Sequence, residues 1–254
     1  MAGRRLLALL AAALVAGAVA WALTGLPGAP ASCLPADCDC EAAGPGPIRQ
    51  PANAWSSLAL AAAGIVLLAS PAGTGEARGP EARPGRAEVA TGSRRRASTR
   101  SLAAGALVAV GLAAFLYHAG LTAWAARLDG IAVAVLVGTL ALHGLAGTRT
   151  YGLSRPRRAG AQAAERPGEQ RAPAARLVRL LAPCFLLILG GLCWWLGQSG
   201  GPWCRPDSLL PAHAAWHLLA AGALGLWLGA DKTPGNGPQT RPPSTLRAER
   251  PDTR

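Results

Sequence analysis

Charge is scarce in this sequence. Asp, Glu, Lys and Arg together make up 15% of its 254 residues, against 51% hydrophobic residues and a mean hydropathy of +0.26. A soluble globular domain carries about 25% charged residues, and a disordered chain has high net charge and too few apolar residues to bury. Both classes are excluded. Acidic residues are the scarcer sign, 13 against 25 Lys and Arg. Charge is missing above all from long apolar runs, which are continuous rather than spaced at amphipathic intervals. Such runs read as membrane spans, for which about 20 mostly apolar residues suffice.

Residues 6–26, 54–70, 101–120, 128–147, 177–197 and 211–230 meet that requirement. The expected fold is therefore all-α, a polytopic transmembrane helical bundle of five to six spans, the count depending on the first. Arg4 and Arg5, an apolar run and then Ala29-Pro30-Ala31 suit either an uncleaved signal-anchor or a signal peptide with a small-residue cleavage site. Both alternatives put the loop after residue 26 on the same side. The chain thus divides into an N-terminal signal-anchor or signal peptide (1–26), an outer Cys-rich loop (27–53), a membrane domain (54–230) and a basic cytoplasmic tail (231–254). Loops 71–100 and 148–176, like the tail, are rich in Arg, Gly and Pro and lack apolar periodicity, so all three are expected to be flexible.

With the amino terminus inside and sides alternating, 22 of the 25 basic residues fall inside; only Arg49, Arg127 and Arg205 fall outside. This obeys the positive-inside rule. The basic excess then has a topological cause, and no nucleic-acid partner is expected; contact with anionic lipid is a secondary role for the inner loops. Seven of the eight Trp (Trp21, Trp55, Trp124, Trp194, Trp195, Trp203 and Trp216) lie at or near the outer interface, as in an aromatic belt. The many Gly, Pro, Ala and Arg suggest a GC-rich coding sequence, and the expected location is a bacterial plasma membrane.

Three of the four histidines share the outer side. His118 closes the third segment, His213 and His217 open the last, and Asp129 opens the fourth. Ionisable groups inside a bilayer are costly and read by default as functional. His213 and His217, four residues apart, share one helix face, a spacing that suits two imidazoles on one metal. With His118 they give three neutral nitrogen ligands and one open position, the arrangement of a catalytic zinc site. A single intramembrane His is usually only a hydrogen-bonding group between helices, and His143, near the inner end of its helix, is read that way. Three converging at one depth with an Asp point to a metal.

Cys184 and Cys193 lie within a span and read as apolar packing. Cys33, Cys38 and Cys40 lie in the outer loop before residue 54, and Cys204 in the outer loop before residue 211. An outward-facing compartment permits disulfides, and a bridge from the 33–40 cluster to Cys204 would tie the first loop over the His213/His217 helix. The alternative, a zinc knuckle in that cluster, has no His nearby.

Several blocks together resemble the alkaline ceramidase family, part of a wider superfamily of seven-helix membrane hydrolases that includes the progestin/adiponectin receptors. They are Cys40-Glu41, Arg49-Gln50-Pro51-Ala52-Asn53-Ala54-Trp55-Ser56-Ser57, Phe115-Leu116-Tyr117-His118-Ala119 with Leu128-Asp129, and His213-Ala214-Ala215-Trp216-His217-Leu218-Leu219. In outline the likeness covers residues 33–230. It implies zinc held by His118, His213 and His217, and a catalytic Asp129 that orients or deprotonates water. It also implies hydrolysis of the amide of ceramide, or of another N-acyl lipid, and a disulfide corresponding to Cys40–Cys204. Three departures stand out. Ala114 occupies the place of a Ser thought to stabilise the oxyanion, with Tyr117 or Thr122 as substitutes. Only two spans follow the Asp129 helix, so the lipid cavity is smaller or completed by another subunit, a homo-oligomer. The family's calcium site keeps Asp39 and Glu41 as candidate ligands, with Asp37 adjacent, but the acid expected before Asn53 is Gln50. The rival readings are a non-catalytic lipid sensor or receptor with a structural zinc site, and a transporter, which the apolar inner halves of the spans disfavour.

Overall fold

A computed structural model of the chain describes residues 2–32, 38–70, 86–152 and 172–230. Cys33, Asp37, loop residues 71–85 and 153–171, and the tail 231–254 lie outside the described residues, as does the side chain of Cys38. Six α-helices are described: α1 (Ala2–Ala22), α2 (Pro51–Ala69), α3 (Arg86–Gly120), α4 (Ala123–Gly152), α5 (Ala172–Leu196) and α6 (Ala212–Gly229). A short 3₁₀ turn, Cys38–Cys40, precedes α2.

Four of these helices are long and apolar enough to cross a membrane: α1, α2, residues Arg94–Gly120 of α3 and Ala123–Ala146 of α4. In α5 the apolar stretch is shorter, Leu181–Leu196, and α6 carries two histidines in its first two turns. Large apolar side chains project outward along α1 (Leu6, Leu14), α4 (Ile131, Val135) and α5 (Phe185, Ile188).

The helices begin and end where backbone chemistry allows. Pro51 starts α2, where its fixed φ suits a first turn and its missing N–H costs nothing. Pro211 holds extended backbone just before α6. Two residues, Leu121 and Thr122, turn the chain from α3 into α4, with Leu121 in the left-handed region at φ 47°. The segment after α1 braces this corner: Ala31 N–H donates to Leu121 O, Ala123 N–H to Ala29 O, and Trp124 Nε1 to Pro27 O. Trp21 stacks on Trp124, centroids 5.7 Å apart.

Packing runs α5–α6–α2–α3–α4, with α1 laid across α2 and α3. Small residues let α2 and α3 approach closely, as is usual where apolar transfer gives no drive for helix association. A Cβ on Gly111 of α3 would collide with the Ala61 backbone of α2, and one on Gly64 of α2 with Ala104 O and Val108 of α3. One core cluster gathers Leu60, Leu67, Leu107, Leu136 and Leu228; a second, nearer the α3–α4 corner, gathers Ala22, Ala54, Phe115 and Ala119.

The ends of the bundle differ chemically. At one end Arg4 Nη1 donates to Ser70 O just past α2, and Arg100 Nε to Leu228 O in the last turn of α6, where a cation suits the exposed carbonyls. His143 lies there too, bonded at Nδ1 to Thr99 Oγ1 (3.0 Å) and edge-on to Trp227. It joins helices, as the sequence suggests. The start of α2, the end of α3, the start of α4 and the start of α6 all meet at the opposite end.

The sequence boundaries need correction in several places. Residues 86–100, taken as flexible loop, form the first 15 residues of α3, and α4 starts at Ala123 rather than 128, so Asp129 lies in its second turn rather than opening it. α4 runs on to Gly152, and α5 starts at Ala172, so both edges of the loop 148–176 are helical as well. Hydropathy ends a segment where charge begins. A helix instead continues as long as its backbone bonds close and its polar side chains find water or partners, as Thr99 and Arg100 do.

Candidate metal centre

His118 falls in the last turn of α3, while His213 and His217 sit one turn apart at the start of α6. All three are buried, and one ligand nitrogen from each lies within 4.8 Å of the others. Ring centroids are 5.1 Å (His118–His213), 5.4 Å (His118–His217) and 4.7 Å (His213–His217) apart, each pair edge to face. The three-His group predicted from sequence is therefore assembled, and could hold a metal ion.

Two of the three rings have a hydrogen-bond partner at Nδ1, and the third has a carboxylate nearby. Gln50 Oε1 stands 2.8 Å from His118 Nδ1, and Gln50 Nε2 donates to Glu41 O at 2.6 Å. That second bond orients the amide, so its oxygen accepts a proton from His118. Ser56 Oγ lies 3.0 Å from His217 Nδ1 and donates its own proton to Asn53 O; it too accepts from the ring. Asp39 Oδ1 faces His213 Nδ1 at 3.5 Å. With Nδ1–H committed in this way on His118 and His217, their lone pairs are left on Nε2, the tautomer that metal-binding histidines need, whereas His213 Nδ1 makes no hydrogen bond among the described residues.

Asp129 Oδ1 and Thr122 Oγ1 are also buried, without a hydrogen-bond partner among the described residues. Unpaired polar atoms are costly where they are buried, so both fit a site built to take a water or a ligand. Asp129 stands outside the three-His group itself, near Tyr117 and Asp39. Tyr117 donates to the Asp39 carboxylate and lies against His118, centroids 4.8 Å apart. Burial raises the pKa of Asp39, and the bond from Tyr117 opposes that shift. Ala114 is buried one turn before His118 and offers no hydroxyl.

The two acids considered for calcium have other tasks. Glu41 accepts the N–H groups of Ala52 and Asn53 at 2.7 Å each, capping α2 from ten residues upstream; burial raises its pKa, and these two bonds lower it. Asp39 is turned to Tyr117 and His213. Neither belongs to a group of three or more metal-binding side chains among the described residues. Cys40 and Cys204 are joined by a disulfide, Cα atoms 5.4 Å apart, while Cys184 and Cys193 are free.

Sequence reasoning missed the hydrogen-bonding roles of Gln50, Ser56 and Asp39. A trace of them was present: Asn53, Ser56 and Ser57 put polar groups at i, i+3 and i+4 near the start of an apolar helix, and all three are buried. Comparison of the chain with protein-family models, with curated proteins and with solved structures found no match.

Proposed function

We propose that this chain is an integral membrane hydrolase. In this reading His118, His213 and His217 hold zinc near the outer face, and the enzyme cleaves the amide of ceramide or another N-acyl lipid with water. The buried three-His group carries the reading, because one ligand nitrogen from each of three imidazoles lies close to the others and two of the rings are fixed at Nδ1. Zinc bound there would supply Lewis acidity, bringing the pKa of water towards neutrality and polarising a carbonyl. The chain's own residues do the rest. Asp129 takes the proton of the attacking water through its unpartnered Oδ1. The Thr122 hydroxyl, buried and unengaged, is placed to donate to developing charge. Gln50 and Ser56 fix two of the rings, and Asp39 faces the third. The amide preference comes from the resemblance to alkaline ceramidases. α5 and α6 complete the membrane domain, and the Arg4/Arg100 end faces the cytoplasm of a bacterial cell.

A second reading, a lipid sensor with a structural zinc site, is favoured by one observation: Ala114 is buried where a catalytic hydroxyl is expected. Metal analysis of detergent-purified protein beside His213→Ala, with fatty-acid release from ceramide assayed on the same samples, tests both. The hydrolase requires about one zinc per chain, lost in the variant together with hydrolysis. Zinc without hydrolysis of any lipid amide favours the sensor, and no zinc refutes both. Ala114→Ser should raise turnover of a weakened enzyme, towards the ~10²–10³ that one oxyanion donor is worth; unchanged turnover with retained lipid affinity favours the sensor.

A further inference from the structure

We infer that the Cys40–Cys204 disulfide clamps Asp39 against His213, so that metal affinity at the three-His group depends on whether this disulfide is intact. The inference rests on the proposed role of the three histidines as metal ligands. His118 and His217 take their partners from Gln50 and Ser56, just before and within α2. His213 Nδ1 makes no hydrogen bond among the described residues; the carboxylate facing it is that of Asp39, in the short 3₁₀ turn ahead of α2. This is the longest of the three contacts, 3.5 Å against 2.8 and 3.0 Å.

The turn does not hold itself. Asp39 and Cys40 are consecutive non-glycine residues at positive φ, 50° and 67°, a conformation that persists only where the surroundings enforce it. The restraints are the disulfide at Cys40, the Cys40 N–H to Ser199 Oγ bond (3.2 Å) and the Ala42 N–H to Pro206 O bond (3.2 Å). All three come from residues 199–206, the loop that leads into α6 and His213. Glu41, between them, is fixed to α2. The disulfide thus joins the residue next to Asp39 to the stretch of chain that delivers His213, and it is the only covalent restraint of the three.

A carboxylate on the far nitrogen fixes the tautomer of a ligating imidazole and raises its basicity; losing such a partner typically costs about 10–100-fold in metal affinity. A dithiol reductant would deliver two electrons and two protons to the S–S bond, leaving thiols on Cys40 and Cys204 and closing to its own disulfide. The backbone around Asp39 would then be held by two hydrogen bonds, with its carboxylate still bonded to Tyr117, and the approach of Asp39 to His213 would loosen while Gln50 and Ser56 keep their rings.

The test uses full-length, detergent-purified protein. Zinc affinity is measured by competition with a chelating dye, and the ligand field by the visible absorption of bound cobalt(II). Wild type is compared with Asp39→Asn, with Cys40→Ser/Cys204→Ser (which offers no new thiolate ligand), and with the triple variant. Each of the first two should bind zinc about 10–100-fold more weakly, and the triple variant no more weakly than either. Asp39→Asn should shift the cobalt bands without lowering the unfolding temperature of the metal-free protein, which a merely structural residue would not do. Wild-type affinity in either Asp39→Asn or the serine pair overturns the inference, as do losses that multiply in the triple variant. If the serine pair lacks wild-type helicity, the comparison is made on wild type reduced by a phosphine, where a thiolate ligand would appear as a near-ultraviolet charge-transfer band. Wild type that binds no zinc sinks the metal-site reading itself, an outcome distinct from metal binding that ignores Asp39.

Discussion

Both carboxylate oxygens of Glu41 are occupied by backbone N–H groups of the first turn of α2, and the amide of Gln50 bridges the Glu41 carbonyl to His118. At this scale the site is a chain of single contacts, each of which can be removed. Glu41→Ala uncaps α2 and leaves two N–H groups unpaired, and should destabilise by about 1–3 kcal/mol, seen as a lower unfolding midpoint in detergent. Glu41→Gln, with one accepting oxygen, should fall between. Gln50→Leu removes the acceptor on His118 Nδ1 and should weaken zinc binding about 10–100-fold; a dye-competition titration equal to wild type would deny Gln50 that role.

Among elements, the decisive contact is α2 against α3, which brings Ser56 and Gln50 within reach of histidines on two other helices. It depends on glycine at particular places. A methyl group on Gly111 meets the Ala61 backbone and Ser57 O, and neither can move without moving α2. Gly111→Ala should therefore lower stability by about 1–3 kcal/mol. Gly138, on α4, meets nothing within 4 Å, so Gly138→Ala should leave stability unchanged or raise it by up to ~1 kcal/mol through helix propensity. Thermal unfolding followed by Trp fluorescence separates the two; equal effects would mean the helices are not in close contact at Gly111.

For the whole molecule, the question is which end faces which compartment. Arg4, Arg100 and His143 lie at one end, and the disulfide and the three-His group at the other. In a background with Cys33, Cys38, Cys184 and Cys193 replaced by Ala, Leu209→Cys in the exposed loop before α6 should react with a membrane-impermeant maleimide on intact cells. Ser98→Cys, in the inner half of α3, should react only after lysis. The reverse pattern would invert the topology and place the site inside.

The long apolar helices are legible from residue order alone, because transfer of about 20 apolar residues into lipid is additive along the chain. The same order marks His118, His213 and His217, because ionisable residues stand out against such a background. How far the helices run is a matter of the fold, since backbone hydrogen bonds continue past the apolar limit at Arg94–Arg100. The fold also makes Glu41 a helix cap and Gln50 and Ser56 hydrogen-bond partners of two rings, and it sets Asp39 beside the third. Those contacts join residues up to 174 positions apart, and each depends on direction and on distances of a few tenths of an ångström, which no local pattern along a chain encodes.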